Sequence, residues 1–407
     1  MGSEILARVA MSRIEEIQTA LAEASLDGWL FYDFHISDPL AYRILELSEH
    51  GISTRRWFCF VPRAGEPCKL VSAVEPRRLD AIAGDSIVYR SAIEMRAGLT
   101  RMLADSKRIA MDYSPNCAIP YVSRVDAGIV EMVRALGLEV ISAADLIQRF
   151  EARLTRPQLE SHHRAAASLR KIVDETFAEI ARRTRAQLQA FEHEIQRFVM
   201  ERFAAYGLTT AEPPIVAVNA HSADPHFGPS ENHPTPINRG DFVLLDLWAR
   251  ETAEDSVYAD FTWVAFVGET VPDEYAKIFS IVASARDAAV ELVASRMASK
   301  LPVRGSEADR AAREVIERAG FGEQFLHRTG HSIGREVHGT GANLDSLETD
   351  DHRMLIDDTC FSVEPGIYLP GRFGVRSELD MTIENGRAKV SADAIQCEVI
   401  PILARFS

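Results

Sequence analysis

The sequence predicts an α/β domain over residues 1–153 followed by an α+β domain over residues 154–407. Three observations predict it. Helix-like and strand-like pieces alternate through the first 153 residues. A long polar stretch rich in Ala and Arg follows them. From Gln324 to Phe406 the chain then reads as strand and turn, with glycines at 330, 334, 339, 341, 366, 371 and 374. A chain of 407 residues is longer than one compact core usually supports, which agrees with two domains.

In the first domain, helical spacing over Val9–Ala24 (Ile14, Ile17, Leu21) leads into the apolar run Gly28–Tyr32, a strand. Trp57–Val61 and Lys69–Val71 are further strands. A second alternation follows, with strand Ile109–Asp112, helix Val125–Leu136 and strand Leu138–Ile141. This half clusters few polar groups of catalytic type, so a supporting or oligomerising role is expected. From Pro157 to Tyr206 apolar residues near helical spacing (Leu169, Ile172, Phe177, Ile180) predict two helices broken around Arg185. Strands Pro214–Val218, Phe242–Ala249 and Val257–Val267 come next, then helices Asp273–Ser295 and Ser306–Ala319. Ser306 with Asp309 three residues on matches a capping box, with Asp in the Glu position.

Sixty acidic against 45 basic side chains leave a net charge of −15, a surface that repels phosphate backbones and anionic lipid, so nucleic acid is not an expected partner. Five scattered cysteines without a CxxC pair read as reduced thiols. The start, MGSEILARVAMSRIEE, carries charges where an export signal needs an apolar run, and no uncharged apolar stretch approaches the roughly 18 to 20 residues that cross a bilayer. A soluble cytoplasmic protein with no membrane partner is expected.

Two aspartates stand where aspartate is disfavoured: Asp246 inside FVLLDLWA and Asp260 inside VYADFTWVAFV. A buried ionised carboxylate is costly unless paired or bound to a cation, so two in neighbouring strands call for a common partner. The polar segment Arg250–Tyr258 suits a hairpin that folds the second strand onto the first. Glu364 in CFSVEPGIY and Glu378 in GVRSELDMTI add two more acids, and His331 in TGHSIG adds a softer ligand between glycines. Four carboxylates and one imidazole carry −4, which two divalent cations cancel; two-metal hydrolytic sites are built this way. His338, seven residues after His331, and His226 in DPHFG are candidates to hydrogen-bond a developing oxyanion or leaving group. Arg376, two residues before Glu378, is placed to orient a carboxylate. His221, His233, His327 and His352 read as ordinary surface or core histidines.

The ordered set Asp246, Asp260, His331 in GHSIG, Glu364 in VEPGIY and Glu378 after Arg376 resembles the pita-bread metallopeptidases: Xaa-Pro dipeptidases (prolidases), aminopeptidase P and methionine aminopeptidase. The similarity covers roughly residues 155–405. Residues 1–153 resemble the N-terminal domain that accompanies prolidase, aminopeptidase P and creatinase, leaving 154–407 as the pita-bread catalytic domain. The resemblance implies that Asp246, Asp260, His331, Glu364 and Glu378 bind two divalent ions, Mn2+ first and Co2+, Zn2+ or Fe2+ otherwise. Asp246 would chelate one ion, with Asp260 and Glu378 bridging. It further implies that Glu364 holds a metal-bridging hydroxide as general base, that His226 and His338 contact a small peptide substrate, and that the chain forms a homodimer. The implied reaction is cleavage of the N-terminal Xaa-Pro bond of dipeptides or short peptides. Some positions depart from the family: Asp246 and Asp260 lie 14 apart, longer than usual, Trp248 replaces a common Gly, and Trp263 replaces a common Arg. Both tryptophans are expected to narrow the substrate pocket.

Two other readings compete. A metalloenzyme of the same fold could act on a non-peptide substrate, in the manner of creatinase, a lyase or an organophosphate hydrolase. Gly330, Ser332 and Gly334 also spell G-x-S-x-G, which would make Ser332 an acyl-transfer nucleophile. That elbow needs a helix after the serine, and the following segment REVHGTGANL does not read as one.

Overall fold

A computed structural model describes residues 12–48, 50, 52–349, 351–393 and 395–406. The chain divides into two compact units, Met1–Glu151 and Ala152–Ser407.

The first unit is built on six strands: β1 (Gly28–Asp33), β2 (Trp57–Pro62), β3 (Cys68–Ser72), β4 (Asp85–Tyr89), β5 (Arg108–Met111) and β6 (Glu139–Ser142), in the order β4-β3-β2-β1-β5-β6. Strand β1 is buried along its whole length because both of its faces are covered, Trp29 and Phe31 on one side and Leu30 and Tyr32 on the other. Helix α1 (Arg13–Glu23) starts at Ser12, whose side chain accepts from Glu15 N–H while Glu15 accepts from Ser12 N–H. The predicted residues Val9, Ala10 and Met11 of that helix lie outside the described residues. Helix α3 (Ala127–Arg134) falls within the predicted span, whereas β4 and helix α2 (Ala92–Met102) have no counterpart in the sequence reading. Both carry a weak apolar signal: β4 is an edge strand exposed over most of its residues, and α2 buries only Met95, Gly98 and Leu99.

This unit also buries two carboxyl groups together. Asp38 Oδ1 accepts from Leu40 N–H and Ala41 N–H, both at 3.2 Å, and Asp112 Oδ1 accepts from Trp29 Nε1 at 2.8 Å. The Oδ2 atom of each has no donor among the described residues. Burial, then the Asp112 and Asp33 surroundings, leave the Asp38 carboxyl at about 6; burial and the Asp38 charge push Asp112 well above the carboxylate range.

The second unit begins with helices α4 (Arg156–Arg185) and α5 (Glu192–Ala205), broken where predicted. Strands β7 (Ile215–Val218), β8 (Phe242–Glu251) and β9 (Ala259–Phe266) form its first sheet, with β8 antiparallel to both neighbours. The register pairs Asp246 with Thr262 and Trp248 with Asp260, so all four side chains share one face of the sheet. The alternate residues Val243, Leu245, Leu247, Phe261 and Trp263 point the other way and pack with Leu169, Phe177 and Phe203 of α4 and α5. On the aspartate face, Phe242, Leu244, Val264 and Phe266 pack against helices α6 (Asp273–Ala298) and α7 (Gly305–Arg318) and a second group of strands. That group is β10 (Thr359–Val363), the hairpin β11 (Gly366–Leu369) and β12 (Phe373–Arg376), then β13 (Leu379–Glu384) and β14 (Arg387–Val390). Burial of both faces of β8 explains its near-continuous apolar sequence. The turn 250–258 is long because Arg250 and Glu251 continue past β9 to pair with Thr209 and Leu208.

The predicted capping box of Ser306 and Asp309 does not form. Helix α7 starts after Arg304, whose N–H donates to Glu307 Oε2 at 2.8 Å, and Asp309 turns inward to a fully buried position. Among the described residues no helix is long and apolar enough to cross a membrane.

Candidate metal centre

The five expected ligands come from five places in the second unit. Asp246 and Asp260 sit on β8 and β9, His331 precedes the short strand Ser332–Ile333, Glu364 follows β10, and Glu378 precedes β13. Strand Ser332–Ile333 pairs with β10, and a Cβ on Gly330 would come within 2.0 Å of Ser362 O, so only glycine lets the His331 segment approach this closely. Ligand atoms of Asp260, His331 and Glu378 all lie within 4.8 Å of one another. His331 Nε2 is 3.7 Å from Asp260 Oδ2 and 3.5 Å from Glu364 Oε1. Asp246 Oδ2 accepts from Arg376 Nη2. Four of these side chains are more than nine-tenths buried, whereas Glu364 keeps 14% of its side chain exposed and is the one that meets solvent.

The electrostatics of this group are those of a cation site. Burial first, then Asp246 and neighbouring acids, push Asp260 well above the carboxylate range; burial, Asp260 and Glu364 do the same to Glu378. Burial raises Glu364 to about 7 against the pull of Arg376 and Arg328. Burial, with His338 and Arg328 near, drives His331 down, so its imidazole is neutral and ready to ligate. Asp260 Oδ1 is buried with no hydrogen-bond donor among the described residues. A buried carboxyl oxygen left without a donor, beside a neutral imidazole and further acids whose charges burial disfavours, fits a divalent cation by donor chemistry alone.

Arg376 is placed by more than its own strand. It ends β12, and its guanidinium reaches Asp246, Thr262 Oγ1 at 2.9 Å, Tyr368 OH at 3.0 Å and Pro225 O at 3.4 Å. Thr262 O–H in turn donates to Glu378 Oε2 at 2.7 Å, so Arg376 and Glu378 meet through a threonine. Tyr368 OH lies 2.7 Å from His327 Nε2, and His327 Nδ1 lies 2.7 Å from Arg328 O, which assigns the proton to Nδ1 and makes the tyrosine the donor to Nε2. Thr262, Tyr368 and His327 carry no mark in the sequence beyond their neighbours. His338 stacks edge-on to His331 with ring centroids 4.4 Å apart, and the surrounding protein, Arg328 and His226 hold it at about 4. His226 is exposed, on the segment after the turn 219–223 that Gly374 accommodates, since a Cβ there would meet Ser222 O at 2.1 Å.

One expectation needs correction. Trp263 cannot narrow the site: it lies on the opposite face of β9, beneath Arg170, whose guanidinium carbon is 4.0 Å from the ring centroid. Trp248 does lie on the aspartate face, partly exposed, directly across from Asp260. The rival elbow finds no support, as the sequence led one to expect: Ser332 is buried, its Oγ accepts from Gly341 N–H at 3.0 Å, and among the described residues no helix directly follows its strand.

Comparison with known proteins gives a consistent result. The profile of metallopeptidase family M24 matches residues 161–385. The probable dipeptidase PepE of Mycobacterium tuberculosis is 30% identical over 273 residues, 66% of this chain and 66% of that protein, so the match spans just under two thirds of the relative's length. The Xaa-Pro dipeptidase of Lactobacillus helveticus is 37% identical over 164 residues, 40% of each chain. The solved structure of dipeptidase PepE from Mycobacterium ulcerans superposes with a TM-score of 0.68 at 24% identity, covering 95% of this chain and 96% of that one. The expected architecture, an α/β unit followed by an α+β pita-bread unit, is the one this chain has.

Proposed function

Because the chain belongs to metallopeptidase family M24, we propose that it hydrolyses the N-terminal Xaa-Pro bond of dipeptides or short peptides. Asp246, Asp260, His331, Glu364 and Glu378 would hold two divalent cations, Mn2+ before Co2+, Zn2+ or Fe2+. The observation that carries the reading is the buried trio Asp260, His331 and Glu378, with an Asp260 oxygen that has no other partner among the described residues. The names of the dipeptidases that resemble it support the substrate class.

Bound cations would polarise the scissile carbonyl and acidify a water molecule. The chain's own residues supply the rest. Glu364, the most exposed of the five and raised to about 7, is suited to take a proton from water and return it to the leaving prolyl nitrogen. His338, neutral because it is held at about 4, can donate one N–H to the carbonyl oxygen as charge develops there, with exposed His226 beside it. Arg376 keeps the Asp246 carboxylate oriented, and Thr262 does the same for Glu378. An Xaa-Pro bond has no N–H and a ring-fixed φ, so a rigid site of this kind suits it better than an extended peptide groove.

In this reading residues 1–153 are the creatinase/prolidase-type N-terminal domain, and the protein works as a cytoplasmic homodimer. Hydrolysis of Ala-Pro and Ala-Pro-Xaa by metal-loaded protein tests the substrate class. Cleavage of Ala-Pro that stops on chelation is expected; turnover of neither peptide with any of the four metals would reject it.

A further inference from the structure

The carboxylate expected to cap α7 is tied instead to both ends of the loop that carries His331. Asp309 is fully buried. Its Oδ1 accepts from Thr329 N–H at 2.9 Å and Thr329 O–H at 2.6 Å; its Oδ2 accepts from Ser346 N–H at 2.9 Å and from Ser346 O–H. Arg313, one turn along the helix, lies 3.2 Å from Oδ1 and also donates to the carbonyls of Phe325 and His327, on the approach to the loop. Between the two tethered residues the neck of the loop closes, with Leu344 N–H donating to Gly330 O at 2.9 Å and Gly330 N–H to Leu344 O at 3.2 Å.

Thr329 stands next to the candidate centre in two directions. Its carbonyl accepts from Glu364 N–H at 2.6 Å. Two residues on, His331 N–H donates to Ser362 Oγ at 3.0 Å, and that hydroxyl donates to Glu364 Oε1 at 3.2 Å. A single carboxylate that accepts four hydrogen bonds from the two ends of the loop, besides two from Arg313, therefore fixes the residue that sets the spacing between His331 and Glu364. We propose that Asp309 is a positioning residue for the centre, acting through Thr329, rather than a purely structural residue of α7. The inference rests on the metal-centre reading given above.

Asp309→Asn tests it, because an amide keeps the shape but can accept at one oxygen only and turns its NH2 toward one pair of donors. In chelator-treated protein, amide hydrogen exchange of segments 329–346 and 362–364 should accelerate by at least roughly 10-fold, while β8 and β9 keep their wild-type rates. Co2+ affinity, followed by visible absorption, should fall by roughly 10- to 100-fold, the usual cost of losing a group that orients a metal ligand. Phe177→Leu, in the core behind the first sheet, provides a destabilised control whose Co2+ affinity stays at the wild-type value. Should Asp309→Asn not fold, Thr329→Val removes only the hydroxyl tether, and a smaller loss in the same two readouts is expected. Unchanged exchange in 329–346 would overturn the proposal. Wild-type protein that binds no Co2+ would instead reject the metal-centre reading, and the exchange result would still decide whether Asp309 holds the loop.

Discussion

Replacing Arg376 by Met isolates what the guanidinium does for Asp246. Arg376 is 4% exposed and spans four acceptors, one of them the buried Asp246 carboxylate. Methionine keeps most of the aliphatic stem and removes every donor. Each hydrogen bond lost from a charged donor is worth roughly 1.5–3 kcal/mol, but the values do not add, and breaking a buried ion pair from one side costs about 3–5 kcal/mol. That is the loss expected in metal-free protein. For a unit of this size it corresponds to a fall in Tm of roughly 10 °C. Bound cations beside Asp246 would supply the missing positive charge, leaving only the neutral acceptors Thr262, Tyr368 and Pro225 unsatisfied, so with Mn2+ present the loss should shrink to about 2 kcal/mol. Urea unfolding of wild type and Arg376→Met, each with chelator and with Mn2+, measures both numbers. Losses equal in the two conditions, or below about 1 kcal/mol without metal, would refute the view that Arg376 holds an ionised ligand.

Further outcomes follow from the same geometry. Glu364→Gln should lower kcat by roughly 10^2- to 10^4-fold at unchanged fold, read from steady-state hydrolysis and circular dichroism, and near-normal turnover would remove Glu364 from the proton-transfer role. In the first unit, Asp38 is held at about 6 against an ordinary 3.8, and Asp112 is raised as well. A carboxyl raised in the folded state keeps its proton longer than it does unfolded, so its neutral form favours folding at low pH and that advantage is lost as pH rises through the folded value. The folded and unfolded values bracket a window from about pH 4 to 6 for Asp38, worth on the order of 3 kcal/mol. Asp33, Arg124 and Glu151 face the pair and enter its balance. Asp112→Asn removes one of the two titrating carboxyls, so its stability relative to wild type should rise as pH climbs through the range in which wild-type Asp112 ionises; a difference that stays constant with pH would contradict the shared-burial account.

Much of the candidate site was legible because its residues break local rules. Asp246 and Asp260 interrupt apolar runs, and the Gly-flanked His331 and the Glu364 before Pro365 stand out in the same way. What periodicity could not reveal was the face each strand residue takes: β8 and β9 are covered on both sides, so their sequence does not alternate, and Trp263 was placed on the wrong face for that reason. Thr262, Tyr368 and His327 gain their roles only from partners far away in sequence, and nothing local distinguishes them. Asp309 was misread because S-x-x-D is a local pattern, whereas the hydrogen bonds that claim it come from residues 329 and 346. The edge strand β4 and helix α2 were missed because each buries too few residues to imprint a period.

The most direct test of the central claim is metal stoichiometry. Chelator-stripped protein titrated with Mn2+ in a calorimeter should bind two ions per chain, and Ala-Pro hydrolysis should appear with that binding and vanish in His331→Ala. Binding of less than one ion per chain, or hydrolysis that survives without metal, would contradict the account.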